Sequence, residues 1–290
     1  MNGETRKIKA KRASRITRPT SPPYFKIQKR DIDVLLSINR YRLLSQSQIQ
    51  LLHFPSKNTA QVRFQHLWQH GFLRRLFSGG FLTSEALYTL DTKGKQLLQI
   101  QNGIEGKDIR IYKGTTINPL TIDHTLSLTS IRICADLSAK DTHFTVSKWM
   151  DDIETKADFD RIEIDQKLIP IVPDAYFEIE ANGQTFRFFL EYDNGTEPLK
   201  TIQRKMRAYQ LYLQTGKVER RYKSTKIRIL FLVKPNRIER LQNFQKLAAA
   251  LPFSAYFWFS DTETIKQNFF ISPAWLSGKS ATLQGLISSP

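Results

Sequence analysis

Residues 172–193 read V-P-D-A-Y-F-E-I-E-A-N-G-Q-T-F-R-F-F-L-E-Y-D, and the pair Asn182-Gly183 decides how they fold. Asn-Gly between two apolar runs signals a two-residue hairpin turn, because both central positions need a positive φ. Residues 181 and 184 then flank the turn, and every opposed pair follows by counting outward. Glu178 faces Arg187, an opposite-charge pair, while Phe177 faces Phe188, Ile179 faces Phe186 and Ala175 faces Leu190. The apolar pairs share the core face, since a slip of one residue would turn all of them to solvent.

The same register sets Asp174 opposite Glu191 on the other face, with Asp193 diagonal to Asp174. Opposed residues have Cβ atoms about 4.5–5.5 Å apart, so two carboxylates there repel. A divalent cation, a basic side chain or a raised carboxyl pKa must compensate. Oxygen donors suit Mg2+ or Mn2+, held by Asp174 and Glu191, and such an ion can activate water for phosphodiester hydrolysis. The alternative is a solvated polar face whose acids pair with Lys or Arg, and spacing alone does not choose between them.

The next segment, N-G-T-E-P, places Thr196 as an N-cap, with Glu197 and Pro198 in the first turn of a helix over about 197–214. Leu199, Ile202, Met206, Tyr209 and Leu213 form its apolar arc. Lys205 lies on the rim of that arc, where it can lean over the carboxylates, whereas Arg204 and Arg207 point elsewhere and can touch phosphates. Working outward, helical text runs from about 121 to 137, strands over 144–149, 170–180 and 185–193, a buried strand over 227–233, a helix over 237–250 and a strand over 255–259. This is an α-β-β-β-α-β order with additions.

The N-terminal third reads differently. Helices are expected over Asp31–Arg40, with Ile32, Leu35 and Leu36 on one face, over Ser45–Leu52, and from a Ser56 cap to about His70. Ser45 followed by Gln48 is a capping box. Phe72–Phe77, the turn Gly79-Gly80 and Phe81–Leu90 make a hairpin, and Thr92 caps a fourth helix through Leu98. Three helices, a two-stranded wing and a further helix is the order of a winged helix-turn-helix. Domains are thus expected as a disordered basic arm (1–28), a winged helix (29–100), a linker (101–120), a second domain (121–275) and a C-terminal tail (276–290).

On a helical wheel Ala60, Phe64, Leu67 and Trp68 share the packed arc of the third helix, and Asn58, Gln61, Gln65 and Gln69 lie opposite. Amide side chains pair bidentately with adenine in the major groove, so this stripe is a candidate reading face for double-stranded DNA. Lys57, Arg63, Arg74 and Arg75 flank it as candidate phosphate contacts. A solvated helix face is the plain alternative.

Charge favours the first reading. The net charge is +17, of which residues 1–30 carry +9, residues 31–120 carry +5 and the remainder +3. A field concentrated at one end draws the chain to polyanions by counterion release. The single cysteine, Cys134, excludes an intrachain disulfide and a cysteine-rich zinc site. The longest apolar run, Ile229–Val233, falls far short of the ~20 residues of a membrane span, so no membrane partner and a cytoplasmic location are expected. The five histidines form no His-x-His pair, and no G-x-x-x-x-G-K occurs, which leaves no sign of a histidine-metal nicking enzyme or a P-loop.

With those residues in place, the chain resembles the replication-relaxation family of plasmids and mobile elements. The resemblance rests on F-Q-H-L-W-Q-H-G-F-L-R-R-L, A-L-Y-T-L-D-T-K-G-K-Q-L-L, D-H-T-L, V-P-D-A-Y-F, F-F-L-E-Y-D-N-G-T-E and K-M-R-A-Y, in that order. It implies an α+β or α/β protein with a winged helix followed by a restriction-endonuclease-like domain of the PD-(D/E)xK type. That pattern expects acid-x-Lys on the third strand; here it reads Glu191-Tyr192-Asp193. Two readings follow for Asp174, Glu191, Asp193 and Lys205. Either Lys205 replaces the strand lysine in a Mg2+- or Mn2+-dependent endonuclease, or the site is degenerate and the chain binds DNA in replication or mobilisation control. A third reading is an assembly factor with protein partners, a homodimer included.

Overall fold

A computed structural model describes residues 14–79, 83–112 and 119–287. The chain divides into two compact units, Met1–Thr129 and Ser130–Pro290. Among the described residues no helix is long and apolar enough to cross a membrane.

The first unit holds α1 (Lys29–Tyr41), β1 (Leu44–Ser45), α2 (Gln46–His53), α3 (Lys57–Gln69), β2 (Leu73–Leu76), β3 (Leu87–Leu90), α4 (Thr92–Asn102) and the start of α5 (Pro119–Asp141). The strands form an antiparallel sheet of order β1-β3-β2, with Leu73 opposite Leu90 and Leu76 opposite Leu87. α2 opens on the expected capping box, the Ser45 hydroxyl accepting from Gln48 N–H and the Gln48 side chain reaching back to Ser45 N–H. The core of the unit joins Val34, Leu35 and Ile38 to Ile49, Phe64, Leu67, Leu73 and Leu90. The buried stripe of α1 is therefore Val34, Leu35, Ile38 and Tyr41, and Ile32 and Leu36 are only half-buried.

Several local expectations need correction. Asp91, not Thr92, caps α4, its carboxylate accepting from Thr92 N–H. Ser56 precedes α3 without a side-chain cap bond. The strand expected over 81–90 begins at Leu87, and residues 80–82 of the Gly79-Gly80 turn lie outside the described residues. Residues 14–28 form no helix or strand, yet they dock: Arg18 pairs with Asp91 at 2.5 Å and donates to Leu73 O at 2.7 Å. Arg15 sits 4.7 Å from the Phe77 ring centroid, and Phe25 stacks on His66 at 5.1 Å. The remainder of that arm, 1–13, lies outside the described residues. Of the expected linker, residues 110–112 bind the first unit: Arg110 N–H donates to Asn39 Oδ1 at 2.7 Å and Tyr112 N–H to Thr89 Oγ1 at 3.1 Å.

The second unit carries the rest of α5 and a mixed sheet of seven strands, ordered β12-β11-β10-β9-β8-β7-β4. These are β4 (Thr145–Met150), β7 (Ala175–Ala181), β8 (Gln184–Asp193), β9 (Ile227–Val233), β10 (Phe257–Asp261), β11 (Trp275–Ser277) and β12 (Ser280–Gln284). Between β4 and β7 come α6 (Asp152–Ala157) and a separate hairpin, β5 (Asp160–Ile164) with β6 (Lys167–Ile171). α7 (Leu199–Gln214) and α8 (Lys217–Tyr222) precede β9, and α9 (Ile238–Ala249) follows it. The protein is thus mixed α+β, and the expected helix, three strands, helix and strand are α5, β4, β7, β8, α7 and β9.

The Asn182-Gly183 register holds pair for pair, from Ala181↔Gln184 to Ala175↔Leu190. Asn182 and Gly183 have φ of 51° and 70°, which an Asn-Gly turn tolerates and most residues do not. β8 runs parallel to β9, and β9 to β10. Phe188, Phe189 and Leu190 are fully buried, as a strand covered on both faces requires. On one face Phe189, Ile229, Phe231 and Phe259 pack with Ile202, Met206 and Tyr209 of α7 and Phe244 of α9. On the other, Phe177 stacks on Trp149 at 4.7 Å and meets Phe269 edge-on at 6.0 Å, and Ser138 of α5 accepts from Phe269 N–H.

Here too the chain departs from expectation. The strand expected over 170–180 is two, because Val172 and Pro173 break the ladder; Pro173 has no N–H to give it. α7 starts at Leu199 with Pro198 before it, so Thr196 is not the N-cap. The expected tail holds the end of β11 and all of β12, strands that extend the sheet at its edge.

Candidate functional site

The carboxylate cluster sits at the C-terminal end of β8. Alternation along that strand turns Glu191 and Asp193 to the side where α7 and α9 pack. Asp174, one residue before β7, accepts from Tyr192 N–H at 2.8 Å, which ties the two strand ends together. Glu191 is 5% exposed. Its Oε1 accepts from the Tyr209 hydroxyl at 2.5 Å and its Oε2 from Lys205 Nζ at 3.1 Å. Lys205 also donates to Glu197 Oε1 at 3.2 Å. Arg240 of α9 grips both oxygens of Asp193 and donates as well to Glu197 O at 2.6 Å.

The like-charge problem of the hairpin is therefore answered by basic side chains, and by the proton as well. Burial pushes the Glu191 carboxyl up to about 7, and Asp174 adds to the rise, against the pull of Lys205 and the Tyr209 hydroxyl. Burial works against the Lys205 ammonium, but Glu191, Glu197 and Asp174 outweigh it and hold its pKa above the ordinary lysine value. Burial, with Glu191 beside it, raises the Tyr209 phenol well above its usual value, so it stays a donor.

A cavity of about 270 Å³ opens on this cluster. Glu191, Lys205 and Tyr209 form its polar wall, Ile169 and Val172 its apolar one, and Arg204 stands at its side rather than pointing elsewhere. Arg207 leans on Asp165 at 3.7 Å. As a cradle for Mg2+ or Mn2+ the set does not fit. A hard cation needs several oxygens with spare lone pairs converging on it. Here the two Glu191 oxygens accept from a phenol and an ammonium, both Asp193 oxygens from a guanidinium, and Asp174 Oδ2 from Tyr192 N–H, so the positive charge beside these acids comes from Lys205 and Arg240. Among the described residues no three His, Cys, Asp or Glu side chains converge to hold a metal ion.

The residues of the candidate reading face on α3 differ in exposure and in partners. Lys57, Asn58 and Gln61 are exposed, and so is Val62, at 57%. Gln65 and Gln69 are half-buried, and Gln65 Oε1 accepts from Arg75 at 2.8 Å. Arg75 lies 4.1 Å from the Trp68 ring centroid, and burial lowers its pKa. Arg74 donates to Tyr112 O. Arg63 forms a two-point ion pair with Asp31, which is fully buried at the start of α1, and its guanidinium lies 4.4 Å from the Phe25 ring centroid. Arg63, Arg74 and Arg75 thus hold the unit together.

Sequence reasoning missed Tyr209, Glu197 and Arg240. Tyr209 had a signal, one helical turn after Lys205; Arg240 had none, for it lies on a helix far along the chain.

Fold and site together define a two-unit α+β protein with a buried, internally compensated carboxylate cluster at the C-terminal end of parallel strands. The chain belongs to the replication-relaxation family, whose model matches residues 35–226. Among solved structures it is similar to restriction endonuclease FokI bound to DNA, at 13% identity and a TM-score of 0.28, over 81% of this chain and 43% of that one. A second structure of restriction endonuclease FokI matches at 13% identity and a TM-score of 0.26, over 75% of this chain and 40% of that one. The chain spans less than half the length of those structures. No curated protein matches it.

Proposed function

We propose that this replication-related protein binds double-stranded DNA for a plasmid or mobile element, through a winged helix at its N-terminus, and carries a nuclease-like domain that does not cut. One observation supports the loss of cleavage above all: Glu191 is held by Lys205 and Tyr209, Asp193 by Arg240 and Asp174 by Tyr192 N–H, so the candidate acids of the site are engaged within the protein. DNA binding is supported by the charge of +17, concentrated toward the N-terminus, and by the exposed Lys57, Asn58 and Gln61 on one end of α3. Val62 beside them offers an apolar contact for a thymine methyl group. The reading face is accordingly shorter than the glutamine stripe.

Incubating supercoiled and linear DNA with the full chain and Mg2+ or Mn2+ tests both halves. Tight binding without metal-dependent cleavage is expected. Cleavage that disappears in Asp174→Ala would establish a metal-dependent endonuclease and overturn the degenerate site. Absence of duplex binding would leave the assembly reading.

A further inference from the structure

A second cavity, of about 290 Å³, lies at the opposite end of the parallel strands, where β8 and β9 begin. The pairing of Phe188 with Arg228 puts Phe186, Lys226 and Arg228 on one face of the sheet. Tyr256, in the short turn before β10, closes one side. Among the described residues no acid lines the cavity.

Arg228 is the unusual member. Its guanidinium lies 4.8 Å from the Trp258 ring centroid and 5.8 Å from that of Phe186, and it donates to Leu286 O. Lys205, Arg221 and Arg240 of the same unit each meet a carboxylate. Arg228 meets two rings and a carbonyl, burial lowers its pKa, and it forms no ion pair among the described residues. Lys226, exposed at the mouth, forms no ion pair among the described residues. A half-buried cation without a counter-ion is costly unless an anion supplies one. The half-buried faces of Phe186 and Tyr256 add what a planar, apolar group would use.

We propose that this cavity binds a nucleotide unit, its phosphate between Lys226 and Arg228 and its base against Phe186 and Tyr256. Guanidinium and ammonium groups are strong phosphate donors, and base stacking on aromatic rings is tolerant of sequence. The volume lies near the lower end of the ~300–1,000 Å³ usual for small-molecule sites, which suits one nucleotide and excludes a duplex. The unit comes either as a free mononucleotide or from a single strand of DNA. The inference stands apart from the duplex-binding role of the first unit.

Calorimetric titration of the full chain with thymidine monophosphate, with oligothymidylate and with inorganic phosphate tests it, using wild type, Lys226→Glu and Arg228→Gln. Saturable binding of the mononucleotide identifies the free ligand, and binding of the oligomer alone identifies the strand; both support the site. Each variant should weaken that binding by about tenfold or more, the loss of one charge-assisted contact. Lys226 is exposed, so its variant keeps the fold if Arg228→Gln does not. Absence of binding, binding unchanged in Lys226→Glu, or inorganic phosphate binding as tightly as the nucleotide would overturn the proposal.

Discussion

Asp31 shows how much can depend on one side chain. It is fully buried at the head of α1, where its carboxylate takes Gln28 N–H at 2.8 Å and both ends of the Arg63 fork. Arg63→Ala leaves that charge buried and unpaired, and should cost the first unit about 3–5 kcal/mol in urea unfolding. Gln61→Ala, on the exposed face, should change stability by less than about 0.5 kcal/mol and instead weaken duplex binding. If both variants unfold alike, the division between holding and reading residues is wrong. Glu191 allows a pH test. Its carboxyl is held up to about 7 in the folded chain against 4.5 ordinarily, so the folded state keeps the proton more tightly. That contribution is fully present below pH 4.5 and is lost as pH rises through about 7. Glu191→Gln should flatten the slope of stability against pH in that window; an unchanged slope would assign it to other groups.

At the scale of elements, α4 is placed by a glycine. A Cβ on Gly94 would stand 2.2 Å from Phe72 O, so the helix can approach the chain before β2 only without a side chain. Gly94→Ala would gain helix propensity in isolation, yet it should lower the thermal midpoint of the first unit, because a backbone carbonyl cannot give way. A raised midpoint would show that α4 shifts freely. What could be read from the sequence follows the same division between local and distant. The β7–β8 register was legible because its turn and its period of two are local. The β5–β6 hairpin was not, since Pro170 interrupts its alternation and its turn, Asp165-Gln166 with φ of 50° and 60°, carries no glycine. Arg63 on a helical wheel reads as a free cation because its partner lies on another helix. Arg240 reaches Asp193 across 47 residues, a pairing that no spacing rule reveals. The carboxylate positions and the lean of Lys205 were therefore legible, and the parts of Tyr209 and Arg240 were not.

For the whole molecule, the basic N-terminal arm separates into two parts with different work. Residues 14–28 contribute Arg15, Arg18 and Phe25 to packing against Phe77, Asp91 and His66, so they belong to the first unit's stability. Residues 1–13 hold Arg6, Lys7, Lys9, Lys11 and Arg12 against a single acid, Glu4. Each phosphate that such a cation neutralises adds about 0.9 to the slope of log affinity against log salt on duplex DNA. Deleting 1–13 should make duplex binding weaker and less salt-dependent while leaving the melting temperature of the first unit in place. Deleting 1–28 should lower that melting temperature as well, because it strips Asp91 of its partner and uncovers aromatic surface. Salt titration of fluorescence anisotropy on labelled duplex, beside calorimetric melting of the same three proteins, separates the two effects. A slope unchanged by the shorter deletion would move the phosphate contacts onto the folded units, with Lys57 and its neighbours on α3 as the first residues to test.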